Sequence, residues 1–139
     1  MLSVLRVAVG LSFLLHGTQK IVGFPPSPVP MPAFDPMTQF GVAGILEAVG
    51  GALIVIGFLT RPVAFLLAGE MAVAYFQVHF PKALYPVSNG GEPALLYCFN
   101  FLYLMFAGAG AWSIDAMVAR GRRHAAPPDE RRRHLDAAA

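Results

Sequence analysis

The chain has 139 residues, of which 56% are hydrophobic and only 13% charged, with a formal net charge of +2 and a mean hydropathy of +0.58. An ordinary soluble domain carries about 25% charged residues, and a core built from so short a chain cannot hide this much apolar surface. A soluble globular fold is therefore excluded, and lipid must cover much of the molecule.

Four segments, about 2–22, 37–59, 62–80 and 93–112, have the roughly 20 apolar residues that a hydrocarbon core of about 30 Å demands of a helix. Their apolar runs are continuous, whereas a spanning β-barrel needs strands of alternating polarity. The expected fold is all-α: an antiparallel bundle of four transmembrane helices over 1–119, followed by a basic tail over 120–139.

The first segment carries a single Arg6 and no small-residue cleavage site follows it, so it reads as a retained span and not a secretory signal. Arg6, Gly10, Phe13, His16, Gly17 and Lys20 recur at three- and four-residue steps, which predicts one polar face directed into the bundle. The stretch FPPSPVPMPAFDP, 24–36, is too rich in proline for a helix and is expected as an extended loop over the outer mouth.

In the second segment Gly44, Glu47, Ala48 and Gly51 form a small-residue face that lets another helix approach closely. The link Thr60-Arg61-Pro62 is short enough to make the second and third helices antiparallel neighbours, with Pro62 suited to a first helical turn. The third segment puts Glu70, Ala74 and Gln77 on one stripe, and Tyr75 and His79 on another that points toward the outer surface. Glu47 and Glu70 thus lie in mid-membrane, where a buried charge costs roughly 2.5–3.5 kcal/mol, so each must be protonated, paired or facing a wet cavity.

The next link ends in Asn89-Gly90-Gly91-Glu92-Pro93, where Asn89 and Glu92 have the spacing of a capping box, or Glu92 alone favours a positive helix N-terminus. The fourth segment supplies Tyr97, Asn100 and Tyr103, completing a polar interior that opens outward. The tail RGRRHAAPPDERRRHLDAAA has too little apolar content to pack and is expected as a disordered or frayed helical extension whose basic residues favour anionic headgroups. Arg6, Arg61, Arg120, Arg122, Arg123, Arg131, Arg132 and Arg133 then fall on one side of the membrane, against Lys20 and Lys82 on the other. Positively charged loops stay in the cytoplasm, so the topology expected is N-in and C-in, a multi-pass protein of a bacterial cytoplasmic (inner) membrane.

These polar groups have two readings. As interhelical glue, each contributes about 0.6 kcal/mol: Glu70 bonds Asn100 or Tyr97, His16 is satisfied in a helix interface, and Lys20 and Lys82 are snorkelling anchors. As a site, a Phe- and Tyr-lined cavity in the outer half of the bundle holds a quinone or another small lipophilic ligand. Glu47 is then the proton acceptor, His16 contacts a ring oxygen and Glu70 leads the proton inward, with Lys20, Gln77, His79, Asn89, Glu92 and Asn100 as further ligand contacts. Cys98 is the only cysteine, so a dithiol relay within one chain is impossible. His16 and His79 leave a bis-histidine haem geometrically open, and His16, Glu47, Glu70 and His79 are suitable metal ligands, yet no haem, flavin or metal is expected. There is no phosphate loop or dinucleotide fingerprint.

RVAVGLSFLLHGTQKIVGF, then GILEAVGGALIVIGFLTRPVAFLLAGEMAVAYF, NGGEPALLYCFNFLYL and GAGAWSID together resemble the DoxX family of small bacterial membrane proteins over nearly the whole chain except the tail. The resemblance implies a four-helix membrane protein associated with redox chemistry, related to the membrane subunit of thiosulfate:quinone oxidoreductase. It also implies a relation to a subunit linked with superoxide dismutase and a sulfurtransferase in thiol homeostasis. Carried over by motif, it points to His16, Gly17 and Lys20, to Glu47, to Thr60 and Arg61, to Glu70 and His79, and to Asn89 through Glu92. The function expected is an accessory redox-associated subunit, with a non-catalytic anchor or assembly protein and an oligomeric small-solute transporter as alternatives. Expected partners are the lipid bilayer, membrane or periplasmic redox proteins and a second copy of the chain, but no nucleic acid.

Overall fold

The structure, a computed structural model, describes residues 1–125, which form helices and no strands. Helix α1 (Leu2–Val22) closes at Gly23, whose left-handed backbone (φ 71°) lets its N–H reach the carbonyl of Gln19. Helix α2 (Gln39–Ile56) is capped by Thr38, whose Oγ1 accepts the Gly41 N–H at 3.1 Å, and ends at Gly57. Helix α3 (Thr60–Ala74) runs without a break into a π-helical stretch, Tyr75–His79. A single turn, α4 (Pro86–Asn89), leads into α5 (Glu92–Ala107), and α6 (Ile114–Ala125) follows.

Two boundaries differ from the expectation for clear reasons. The fourth segment stops at Ala107 because Gly108 and Gly110 take positive φ and turn the chain away, where the hydropathy alone runs on to residue 112. The third starts earlier, at Thr60, because the Asp115 carboxylate accepts the N–H groups of Leu59 and Thr60, each at 2.9 Å, satisfying donors that a helix start otherwise leaves orphaned. The expected frayed tail falls partly on α6, and its portion 126–139 lies outside the described residues.

Packing is organised by backbone contact between α1 and α2. A Cβ on Gly17 would stand 2.2 Å from the Ala48 nitrogen, and one on Gly51 would stand 2.6 Å from the nitrogen of Leu14. Against this pair, α3 and α5 contribute Ala64, Leu67, Ala68, Met71, Phe101 and Leu104 to one core, into which α1 inserts Phe13. The Phe13 ring meets Phe101 edge-on at 4.8 Å and Tyr97 at 5.1 Å. The outward faces remain apolar, with Leu11, Leu15, Val42, Ile45, Val49, Phe65 and Phe99 all exposed. Helices α1 and α2 are long and apolar enough to cross a membrane, and most of each is unburied, so lipid is what these faces meet.

The sequence reading counts Arg6 among the cytoplasmic-side charges and also sets it on the polar face of α1 directed into the bundle. It does face inward: it is 1% exposed and donates to four backbone carbonyls, those of Ile54 and Val55 at the end of α2, and of Ala109 (2.7 Å) and Trp112 beyond α5. Terminal carbonyls of a helix need donors, and where water is scarce a planar guanidinium with five N–H groups supplies several at once. Ser3 assists from the previous turn of α1, its Oγ accepting the Trp112 N–H at 3.2 Å.

Gly17→Ala should therefore destabilise the fold by about 1–3 kcal/mol through overpacking against α2. Gly69→Ala, at a position with nothing within 4 Å of a new Cβ, should leave it unchanged or slightly more stable. Thermal unfolding of the two variants in the same detergent checks the pair; equal midpoints would refute the contact.

Candidate functional site

The close approach at Gly17 carries the next turn of α1 across α2. The stem of Lys20 lies over Gly44, whose added Cβ would stand 3.0 Å from the Lys20 Cβ, and the Nζ reaches Glu47 Oε1 at 2.6 Å. The ammonium also lies 5.5 Å from the centre of the Phe40 ring. Glu47 is 3% exposed, and its second oxygen, Oε2, has no hydrogen-bond partner among the described residues.

Glu70 stands across from this pair on α3. Helices α2 and α3 meet where Gly50 packs on Leu67, an added Cβ falling 2.7 Å from Leu67 Cδ2. Glu47 lies one turn before Gly50 and Glu70 one turn after Leu67, so in antiparallel helices both acids stand on the same side of that contact. Both Glu70 oxygens are shielded from solvent, and neither has a hydrogen-bond partner among the described residues. Among the described residues three carboxylate oxygens on facing helices are thus left without donors, an arrangement able to accept and hold a proton.

Lys20 is accordingly an ion-pair partner, not the snorkelling anchor of the glue reading. Nor is Glu70 tied to Asn100 or Tyr97: Asn100 Nδ2 donates to the Leu96 carbonyl of its own helix at 2.8 Å, and the Tyr97 hydroxyl bonds Ser12 Oγ. His16, expected on the inward stripe, is exposed and meets Tyr97 edge-on at 5.7 Å, because one residue before Gly17 is a rotation of about 100° toward α5. Gln77 is also exposed, its Oε1 accepting from Gln39 Nε2. The wider π-helical turn there breaks the seven-residue alignment with Glu70.

The remaining expected contacts gather at the other link. His79 Nδ1 lies 3.2 Å from the Asn89 carbonyl oxygen. Asn89 is buried, donating from Nδ2 to Ala83 O at 2.8 Å and accepting the Gly91 N–H on Oδ1 at 2.7 Å. The Asn89–Glu92 capping box is therefore not formed: the N-cap of α5 is Gly91, and Glu92 sits exposed in the first turn, where the helix dipole favours it. A shallow apolar groove lined by Tyr85, Pro86, Val87, Ser88, Glu92, Leu95 and Leu96 takes in Glu92 but none of Lys20, Glu47 and Glu70. Among the described residues no three His, Cys, Asp or Glu side chains are placed to share a metal ion.

The sequence reading missed the Lys20–Glu47 pairing, although a signal existed. Lys20 follows Gly17 on one small-residue stripe and Glu47 follows Gly44 on the other, so docking the two stripes brings opposite charges together. Asp115 carries no comparable local signal, since its partners are backbone N–H groups.

A family model described as DoxX matches residues 1–80. An uncharacterized protein of Haemophilus influenzae is 45% identical over 119 residues, covering 82% of this chain and 87% of its own. The inner membrane protein YqjF of Escherichia coli is 31% identical, covering 83% of this chain and 89% of its own. The putative oxidoreductase CatD of Bacillus subtilis is 26% identical, with 86% and 88% covered. No solved structure gives a significant match.

Lys20→Met should destabilise the protein by leaving Glu47 buried without its counter-ion, somewhat less than the roughly 3–5 kcal/mol of a wholly buried pair because Lys20 is 21% exposed. Adding Glu47→Gln should restore most of the loss. A double-mutant cycle by thermal unfolding measures this, and additive effects would exclude the pairing.

Proposed function

The chain belongs to the DoxX family, and from its place in the bacterial inner membrane we propose that it is an accessory subunit of a quinone-linked redox system, in which Lys20, Glu47 and Glu70 handle the protons. In this reading α1, α2, the continuous α3 with its π-helical end, and α5 are four spans of an N-in, C-in bundle. Arg61 and the basic residues of α6 lie on the cytoplasmic side, Lys20 and Lys82 on the other.

The observation that carries the reading is Glu70, whose two oxygens are shielded and have no hydrogen-bond partner among the described residues, near the ion pair of Lys20 and Glu47. A carboxylate held at that depth without donors costs folding energy, and its neighbours do not repay it. Such a group is suited to taking up a proton and passing it on. Oxidation of a quinol releases two protons and two electrons. Glu47 and Glu70 offer the acceptor for the protons, while the electrons pass to a separate redox protein, since this chain has one cysteine and no dinucleotide fingerprint. In this reading His16, exposed and edge-on to Tyr97, would contact a lipophilic ring arriving from the bilayer. The name of the Bacillus subtilis relative, a putative oxidoreductase, agrees with a redox setting.

Gentle purification from native membranes should yield the chain with bound quinone and a stoichiometric redox partner. Glu70→Gln should then lower quinol-dependent reduction of that partner by about 10²–10⁴-fold, the usual contribution of a positioned acid or base, with membrane insertion intact. Infrared difference spectra should show a carboxyl band that disappears in Glu70→Gln. A fully active Glu70→Gln protein, or an unchanged band, would remove the proton-handling role.

A further inference from the structure

The end of the bundle where α1 begins carries a surface that the proton-handling group does not use. Helix α6 is fixed there from behind: the Asp115 carboxylate holds the start of α3, the Asp115 N–H donates to the Gly57 carbonyl at 3.0 Å, and Arg6 holds the Trp112 carbonyl. Ser113 is buried at the same corner, accepting the Ala116 N–H on its Oγ at 3.1 Å. These bonds fix which side of α6 faces the bundle and which faces away.

The side that faces away is apolar. Ile114, Met117 and Val118 recur at three- and four-residue steps and are 36%, 69% and 45% exposed, and Trp112 just before them is 75% exposed. The stripe continues to Gly121, and Arg120 and Arg122, both exposed, are its immediate neighbours on either side, Arg120 also donating from Nη2 to the Ala111 carbonyl at 2.9 Å. An apolar stripe with a cation on each flank is the pattern of a helix lying in the membrane interface, and a tryptophan suits that depth. The bundle that anchors α6 is itself inserted in lipid, so the surface that this face meets first is the headgroup layer.

We infer that α6 is a lipid-binding interfacial helix: Trp112, Ile114, Met117 and Val118 enter the acyl boundary while Arg120 and Arg122 take the headgroups of anionic phospholipids. Charge complementarity selects that occupant. A zwitterionic headgroup has a phosphate but no net charge for two flanking guanidinium groups to attract, whereas each basic residue near an anionic surface is favoured by about fivefold in local lipid occupancy. The helix thereby selects the lipid beside the bundle and fixes the depth at which that end sits. The inference is independent of the redox reading, since neither Glu47 nor Glu70 takes part in it.

Trp112 is the only tryptophan, so the full-length protein reports on this site directly. In lipid discs of mixed phosphatidylcholine and phosphatidylglycerol, with bromine on the acyl chains of one lipid or the other, brominated phosphatidylglycerol should quench Trp112 more strongly at equal mole fraction. The preference should fall about fivefold in each of Arg120→Gln and Arg122→Gln, survive in the Lys variants and weaken at high salt. Equal quenching by the two lipids in the wild-type protein would overturn headgroup selection. No quenching by either would place the face in water, open to a protein partner, and would overturn the inference altogether.

Discussion

The placements of Lys20 and Arg6 both follow from the close backbone contact between α1 and α2. With Gly17 against Ala48 and Gly51 against Leu14, the two backbones meet directly, and a contact that close permits little sliding or rotation. The register so fixed has consequences at both ends of α1. At one end the Lys20 stem crosses Gly44 and its ammonium lands on Glu47; at the other Arg6 lands on the last carbonyls of α2. One packing decision thus disposes of two cations that lipid could not have solvated.

The two cations differ in what they leave behind. Arg6 satisfies orphaned carbonyls and is itself satisfied, so its corner is a closed structural knot. The Lys20 end is open in the chemical sense: among the described residues Glu47 Oε2 and both Glu70 oxygens lack a donor, and the amide and phenol expected to satisfy Glu70 are engaged elsewhere. Polar groups that serve only as glue are expected to find each other. Glu70 finds no such partner among the described residues, and its proposed role rests on that.

Much of this was legible in the residues. Continuous apolar runs specify helices; the Gly10, Gly17 and Gly44, Gly51 stripes specify which faces meet; and Pro and Gly clusters specify the links. What was not legible depends on geometry that periodicity does not carry. His16 and Gln77 were aligned with the inward faces by counting, but His16 sits about 100° off the buried line and a π-helical turn displaces Gln77. Asn89 and Glu92 have capping-box spacing, yet Gly91 takes the N-cap position and Asn89 turns to Ala83 and Gly91. Periodicity puts Arg6 on the inward face, where it is buried, but its backbone acceptors on other segments have no signature in sequence.

The Arg6 knot also bears on biogenesis. Its acceptors at Ala109 and Trp112 lie 103 and 106 residues further along the chain, so they leave the ribosome long after α1 has entered the translocon. Until they arrive, the guanidinium has at most the α2 carbonyls to shelter it. The nascent protein must therefore keep that end of α1 near water during translation, and the bundle locks only when its final turn is delivered.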